Sequence, residues 1–417
     1  NSCLGPLAGL EDRRGIYLNS VETLANSELT TIILVSWPET SALNEAARSS
    51  KELRDLKIEN QILAINGLFK SNEEILDPLA ISIENRQLDA LKKIPSSLSH
   101  LKRYDIPLSS TILLGPDSLR HMISPSILRP ASKPTLECIK FEIPSLNKLL
   151  EDFNQSNRGV IMTMGKGGVG KTVVAAAIAL ELANQGKKVH LSTTDPAGHI
   201  INIIKNPPKN LTIDRIDPVK ETQEYRDEVM NTIGKDIDEQ ARALLIEDLR
   251  SPCTEEIAVF RAFARTISKG DDGYVVLDTA PTGHTILLLD ATEAYHREVL
   301  RQASNIPENV KNLLPKLRDP EFTKILIVTL PEATPVHEAA KLQDDLKRAE
   351  IEPYAWVINQ SLNPHTIKNT ILAARQRNEI NYIQEVINVH AKKVALIPFS
   401  IELLSEKEDL IKILGLF

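Results

Sequence analysis

The sequence predicts an α/β protein with a mainly parallel sheet in each of two related halves and helices on both faces of the sheet. Three observations predict it. A glycine-rich loop, Gly165-Lys-Gly-Gly-Val-Gly-Lys-Thr172, lies between an apolar strand-like run (Val160 to Met164) and an apolar helix-like run (Val173 to Ala183). Further strand-like runs, at Val189 to Thr193, Tyr274 to Asp278, Ala355 to Ile358 and Val394 to Ile397, follow with intervening segments long enough for helical crossovers. A strand–turn–helix–strand segment occurs twice at one fixed spacing.

That repeat comes first along the chain. Thr31 to Ala47 aligns without a gap on Lys324 to Ala340, 293 positions later, sharing Pro-Glu and Glu-Ala-Ala, and Ala64-Ile-Asn66 falls on Val357-Ile-Asn359 at the same spacing. Each copy reads as a strand, a turn containing proline, an amphipathic helix and a second strand. So long a period marks duplicated domains rather than a solenoid. Carried back by the same spacing, the glycine-rich loop of the first copy would precede residue 1, and the chain opens on Asn1 rather than Met. The expectation is therefore a remnant of a first half over 1–123 and a complete second half over 159–417. Between them, 124–158 holds a proline-rich linker (Ser124 to Pro134) and a short lead-in helix (Ile143 to Phe153). A charged helical stretch, about 218–268, interrupts the second half.

Bulk properties narrow the function classes. The net charge of −7 is spread over interleaved acidic and basic residues, which disfavours a nucleic-acid partner. Three cysteines, Cys3, Cys138 and Cys253, in a chain of 417 residues argue against a disulfide framework and for a reducing compartment. No apolar run reaches the roughly 18 residues of a membrane span, and the first apolar stretch has no basic segment before it.

The glycine-rich loop carries the chemistry. Gly165, Gly167, Gly168 and Gly170 leave room for successive backbone N–H groups, with that of Val169, to face a polyphosphate. Lys171 adds a mobile cation, and Thr172 offers its hydroxyl to the Mg²⁺ that accompanies a nucleotide. The helix N-terminus favours the anion further. A second lysine, Lys166, directly follows the first glycine, and the loop resembles the deviant phosphate loops of the MinD-like (SIMIBI) P-loop NTPases. In that class the extra lysine reaches a nucleotide held by the opposite subunit or half, so the resemblance implies a two-sided active site.

The strands that follow end in polar residues. Asp195, one strand after the loop, stands where a carboxylate would meet the γ-phosphate in this kind of fold, although Asp195-Pro196 also reads as a turn and helix cap. Tyr274 to Asp278 ends in a carboxylate suited to holding Mg²⁺ through water.

The matching segments carry a closer resemblance. Gly165 to Thr172, Thr193-Thr-Asp-Pro-Ala-Gly-His199, Leu249-Arg-Ser-Pro-Cys-Thr-Glu-Glu-Ile-Ala258, Asp278-Thr-Ala-Pro-Thr-Gly-His-Thr285 and Leu330-Pro-Glu332 resemble the arsenical-pump ATPases (ArsA). One departure is Gly198, where that family is expected to carry a second alanine. The resemblance implies an ATPase that uses ATP and Mg²⁺, takes As(III) or Sb(III) as substrate and activator, and drives export through an integral membrane, ArsB-like protein. A small metalloid chaperone is a further implied partner, and the implied location is cytoplasmic, peripheral at the inner face of the plasma membrane.

It also implies residue roles. Asp195 would orient and deprotonate the attacking water, with Lys166 and Lys171 on the phosphates. Asn359 would read the adenine, with Pro398 and Phe399 flanking the base. Cys3 and Cys253 would ligate the metalloid, with Ser251 and His284 as auxiliary ligands, where the preference of soft ions for thiolate supplies the chemistry. From the residues alone a lone cysteine is also a small buried hydrophobe, His284 a capping or packing residue, and Pro398-Phe399 a turn that ends a strand. An alternative from a different class is the tail-anchored-protein targeting ATPase of the same superfamily. Against it stand the four Met residues and the lack of a Cys-x-x-Cys zinc motif.

Overall fold

The computed structural model describes residues 8–71, 76–110, 116, 120, 141–194, 204, 206–232, 238–279 and 307–401, without the side chains of 8–14, 154, 155, 252 and 253. The chain divides into two compact units, one of residues 1–135 with 366–375 and one of residues 136–365 with 376–417.

In the first unit, α1 (Ala8–Ala25) precedes a parallel three-stranded sheet in the order β1 (Ile32–Ser36), β2 (Gln61–Leu68), β3 (Lys102–Pro107). Two helices make the crossovers, α2 (Thr40–Asp55) and α3 (Pro78–Lys92). Leu34, Leu43, Leu63, Ile65 and Ala90 form the core beneath them. The helix α3 begins where its sequence signals a start. Pro78 occupies the first turn, and the Asp77 carboxylate accepts from the N–H groups of Leu79 and Ala80. The other carboxylate oxygen of Asp77 accepts from Lys368 N at 2.8 Å and Asn369 N at 2.9 Å, which builds residues 366–375 into this unit.

The second unit holds a parallel sheet of seven strands. They are β4 (Gly159–Met164), β5 (Val189–Thr193), β6 (Leu211–Arg215), β7 (Tyr274–Asp278), β8 (Thr323–Thr329), β9 (Ala355–Ser361) and β10 (Val394–Pro398), ordered β10-β9-β8-β4-β7-β5-β6. Successive strand residues go to opposite faces, as the pleat requires. Ile161, Leu191, Val276, Val328 and Val357 pack on one side with α4 (Leu146–Glu151) and α5 (Lys171–Asn184). Met162, Val275, Leu277, Ile327 and Trp356 pack on the other with α8 (Pro252–Ser268) and α9 (Ala333–Arg348). Because α5 is apolar all round, it is buried along nearly its whole length. The interrupting stretch of sequence is helical, with α6 (Pro218–Thr232) and α7 (Glu239–Asp248) preceding α8. The last long helix is α10 (Thr370–Glu385).

The repeat seen in the sequence recurs in the backbone. The helices α2 and α9 begin and end 293 positions apart. Lys57 and Glu350 both adopt left-handed φ, 67° and 61°, just past the ends of these helices. Gly67 and Gln360, each following the repeated Ile-Asn, are again left-handed, at 82° and 54°. A φ of this sign costs a side-chain-bearing residue energy, so its recurrence at two matched positions reflects a shared loop geometry.

Candidate active site

The glycine-rich loop leaves the C-terminal end of β4, the central strand, and enters α5. Its conformation depends on glycine at two close approaches. Gly165 has φ 148°, and a Cβ there would lie 2.2 Å from the carbonyl oxygen of Val328 on the neighbouring strand β8. Gly170 has φ 90°, and its Cβ would lie 2.2 Å from Asn359 Nδ2. The loop is held in shape from both ends. Lys171 Nζ donates to the Lys166 carbonyl at 3.0 Å, and Asn359 Nδ2 donates to the Val169 carbonyl at 2.8 Å.

Beside the loop, parallel pairing sets Thr163 of β4 and Thr193 of β5 level with Asp278 of β7. Asp278 is fully buried. Its Oδ2 accepts from Thr172 Oγ1 at 2.8 Å and from Thr193 Oγ1 at 3.2 Å, while its carbonyl accepts from Thr194 N at 3.0 Å. The segment leading to Asp195 is thereby fixed against the strand that ends in Asp278. A buried carboxylate next to an anion-binding loop is a setting a hard cation would suit. The donor set of a threonine hydroxyl and a carboxylate, all oxygen, fits Mg²⁺.

At the far edge of the site, Asn359 is 5 % exposed at the end of β9, and its Oδ1 accepts from Gln360 N at 2.9 Å. These bonds occupy one N–H and one lone pair of an amide that has two of each. Pro398 ends β10 and Phe399 follows it, and Phe399 N donates to the Ser361 carbonyl at 2.8 Å, so the two strand ends form one wall. The structure thus brings Gly165 to Thr172, Asp278 and Asn359 together around the loop. Lys166 is half-buried on it, and Gly167 and Gly168 are exposed.

The remaining sequence candidates lie elsewhere or outside the description. Ser251 sits in the turn between α7 and α8, with its N–H on the Asp248 carbonyl at 3.0 Å. Asp195, Cys3, Cys138 and His284 lie outside the described residues, as does the side chain of Cys253. Among the described residues no group of His, Cys, Asp and Glu forms a metal-binding cluster. Sequence reasoning missed Thr193, Glu379 and Gln376. Thr193 had the signal of a polar residue ending an apolar strand. Gln376 and Glu379 fall on the buried stripe of α10 with Leu372 and Ile383, where polar groups stand out once the periodicity is marked.

A central parallel strand, a glycine-rich loop opening a buried helix, and a Thr–Asp pair joining that helix to the adjacent strand define a phosphate-loop nucleotide-binding protein. A family model described as "Anion-transporting ATPase" matches residues 5–125, 158–314 and 289–410. An "Arsenical pump-driving ATPase" of Escherichia coli is 46 % identical over 398 residues, covering 95 % of this chain and 68 % of the relative. One of Acidiphilium multivorum is 45 % identical over 397 residues with the same coverage. A more distant relative, "ATPase GET3A" of Arabidopsis thaliana, is 25 % identical over 266 residues, covering 53 % of this chain and 72 % of the relative. The chain belongs to the anion-transporting ATPase (ArsA) family. Among the described residues no helix is long and apolar enough to cross a membrane.

Proposed function

We propose that the protein binds ATP with Mg²⁺ at the loop Gly165 to Thr172 and hydrolyses it to drive export of arsenite or antimonite through a separate, ArsB-like membrane protein. The observation that carries the nucleotide part is the 2.8 Å bond from Thr172 Oγ1 to Asp278 Oδ2 beside the glycine-rich loop. Thr172 would hold Mg²⁺ directly and Asp278 through water, and the ion would supply charge neutralisation on the phosphates. The loop N–H groups and Lys171 bind and orient the polyphosphate. Asp195 accepts the proton of the attacking water, a role supported by the anchoring of Thr194 to Asp278. Lys166 contributes its cation across to the nucleotide of the other half. Asn359 reads the adenine, with Pro398 and Phe399 against its faces.

The metalloid reading goes with it. Cys3 and Cys253 ligate As(III) or Sb(III), Ser251 and His284 assist, and ligation favours the hydrolytic state, so cargo switches on turnover. Support comes from the names of the relatives and from the match around Cys253. A small metalloid chaperone delivers the cargo, and the protein works in the cytoplasm against the inner face of the plasma membrane. Residues 1–123 belong to a first ATPase half, 124–158 to the connection and 159–417 to the second half, with metalloid ligands on the helical stretch 218–268. The recurrence of left-handed residues at 57 and 350 and at 67 and 360 supports that division.

Equilibrium binding of ATP with Mg²⁺ tests the nucleotide reading. Lys171→Ala should abolish binding at this loop, and unchanged affinity would refute it. Titration with As(III) tests the cargo reading: loss of two free thiols with a rise in phosphate release supports it, and indifference of both removes it.

A further inference from the structure

The turn after β9 is tied down by buried polar groups that phosphate chemistry does not use. Glu379 on α10 is 8 % exposed, and its carboxylate accepts from Ser361 Oγ at 2.8 Å, from Leu362 N at 2.9 and 3.1 Å, and from Asn363 Nδ2 at 3.4 Å. One turn earlier on the helix, Gln376 Nε2 donates to the carbonyls of Leu362 at 2.9 Å and His365 at 2.8 Å. From the opposite side, His365 Nε2 lies 2.7 Å from the Phe399 carbonyl, which it can reach as a donor, and Phe399 N meets the Ser361 carbonyl.

A carboxylate on the apolar stripe of a helix is an expensive choice. Leucine or methionine would fill the same position without desolvating a charge. What Glu379 supplies is a partner for the Leu362 N–H, where β9 leaves the sheet register and the ladder to β10 shifts. The residues it fixes follow Asn359 and Gln360 directly and are bonded to Phe399. One carboxylate therefore sets the spacing between the amide that faces the base and the wall that would flank it. That amide keeps one N–H and one lone pair beyond its bonds to Val169 and Gln360, a donor–acceptor pair that matches the N6 and N7 edge of adenine and clashes with the two acceptors of guanine.

We propose that Glu379, seconded by Gln376, is a positioning residue for the nucleobase: it holds Ser361 to His365 so that Asn359 and the Pro398–Phe399 wall select adenine over guanine, while phosphate affinity stays with the glycine-rich loop. The inference rests on the nucleotide-binding reading above and deepens it. It separates two affinities that a merely structural residue would move together.

The test compares ATP, GTP and inorganic tripolyphosphate, each with Mg²⁺ at pH 8, where the Glu379 carboxyl is ionised, binding to the full chain and to Glu379→Gln. The preference for ATP over GTP should fall about tenfold or more in the variant, as expected when a buried polar site loses its geometry. Tripolyphosphate affinity should stay within about twofold, because the loop that binds it is untouched. Should Glu379→Gln not fold, Ser361→Ala removes a single donor to the carboxylate and should shift the same preference in the same direction by a smaller factor. An ATP preference unchanged in a folded variant overturns the proposal, as does a parallel loss of all three ligands. Wild-type protein that binds tripolyphosphate but does not distinguish ATP from GTP overturns it while sparing the phosphate-loop reading. Wild-type protein that binds none of the three removes that reading itself.

Discussion

Thr172 Oγ1 donates to Asp278 Oδ2 across 2.8 Å, joining the first turn of the helix after the glycine-rich loop to the end of the adjacent strand. The same oxygen also receives Thr193 Oγ1. A metal bound here would meet oxygen donors that are already converged, so little reorganisation would accompany its loading.

Asp278→Asn keeps the shape of this pair and removes its charge. Mg²⁺-dependent ATP turnover should fall by about 10- to 100-fold, the range for losing an outer-shell metal partner. Mg²⁺ titrations of phosphate release check it, and an unchanged Mg²⁺ dependence would place the metal elsewhere.

Gly165→Ala and Gly170→Ala should both weaken ATP binding, with Gly165 the more damaging. Its new methyl meets a backbone carbonyl in the sheet, whereas that at Gly170 meets the end of the Asn359 side chain, which can rotate. Strained backbone of this kind costs on the order of 1–3 kcal/mol. Denaturant unfolding read alongside ATP affinity separates the two effects.

Burial pushes the Glu379 carboxyl up to about 7, against the pull of the Ser361, Leu362 and Asn363 donors. The folded protein thus holds a proton that the unfolded chain releases near its ordinary value of 4.5. Stability from this group is fully present below that value and is lost as the pH climbs through about 7, by on the order of 3 kcal/mol in total. Asp214 and Asp77 are depressed instead, against the upward push of burial, the first by His190 and Lys269 beside its carboxylate and the second by backbone N–H donors, so their contributions are lost only in acid. Unfolding free energies between pH 5 and 8 should decline in the wild type and flatten in Glu379→Gln; equal slopes would contradict the assignment.

Asp77→Ala removes both the cap of α3 and the acceptor for Lys368 and Asn369. The expected loss is about 2–3 kcal/mol, above a simple cap, because two further N–H groups, that of Asn369 buried and that of Lys368 part-buried, lose their partner. Amide exchange at Lys368 and Asn369 should accelerate with it, and Asp77→Asn, which keeps an acceptor oxygen, should recover part of both.

Much of the second unit was legible in the sequence because its central strands are buried on both faces. Tyr274 to Leu277 is an uninterrupted apolar run ahead of Asp278, Val189 to Thr193 is strand-like, and the ends of both segments coincide with the observed strands. The loop was legible because its glycines answer to local backbone geometry. Glu379 was not, since its partners come from a turn more than a dozen residues earlier and only tertiary folding brings them together. Nor could the sequence reveal that the Asn359 amide braces the loop at Val169, a bond between residues 190 positions apart. The shared loop geometry after each Ile-Asn was hidden as well, because one copy meets it with Gly67 and the other with Gln360, residues with no chemistry in common.

The run from Thr366 to Arg375 departs from the second unit just after His365 and returns at Gln376, having lent its amides to Asp77 in between. No single cut can therefore divide this polypeptide into two self-sufficient pieces. An isolated amino-terminal fragment would have to be supplied with that decapeptide in trans, and protease nicking at 366–375 would wound both parts at once.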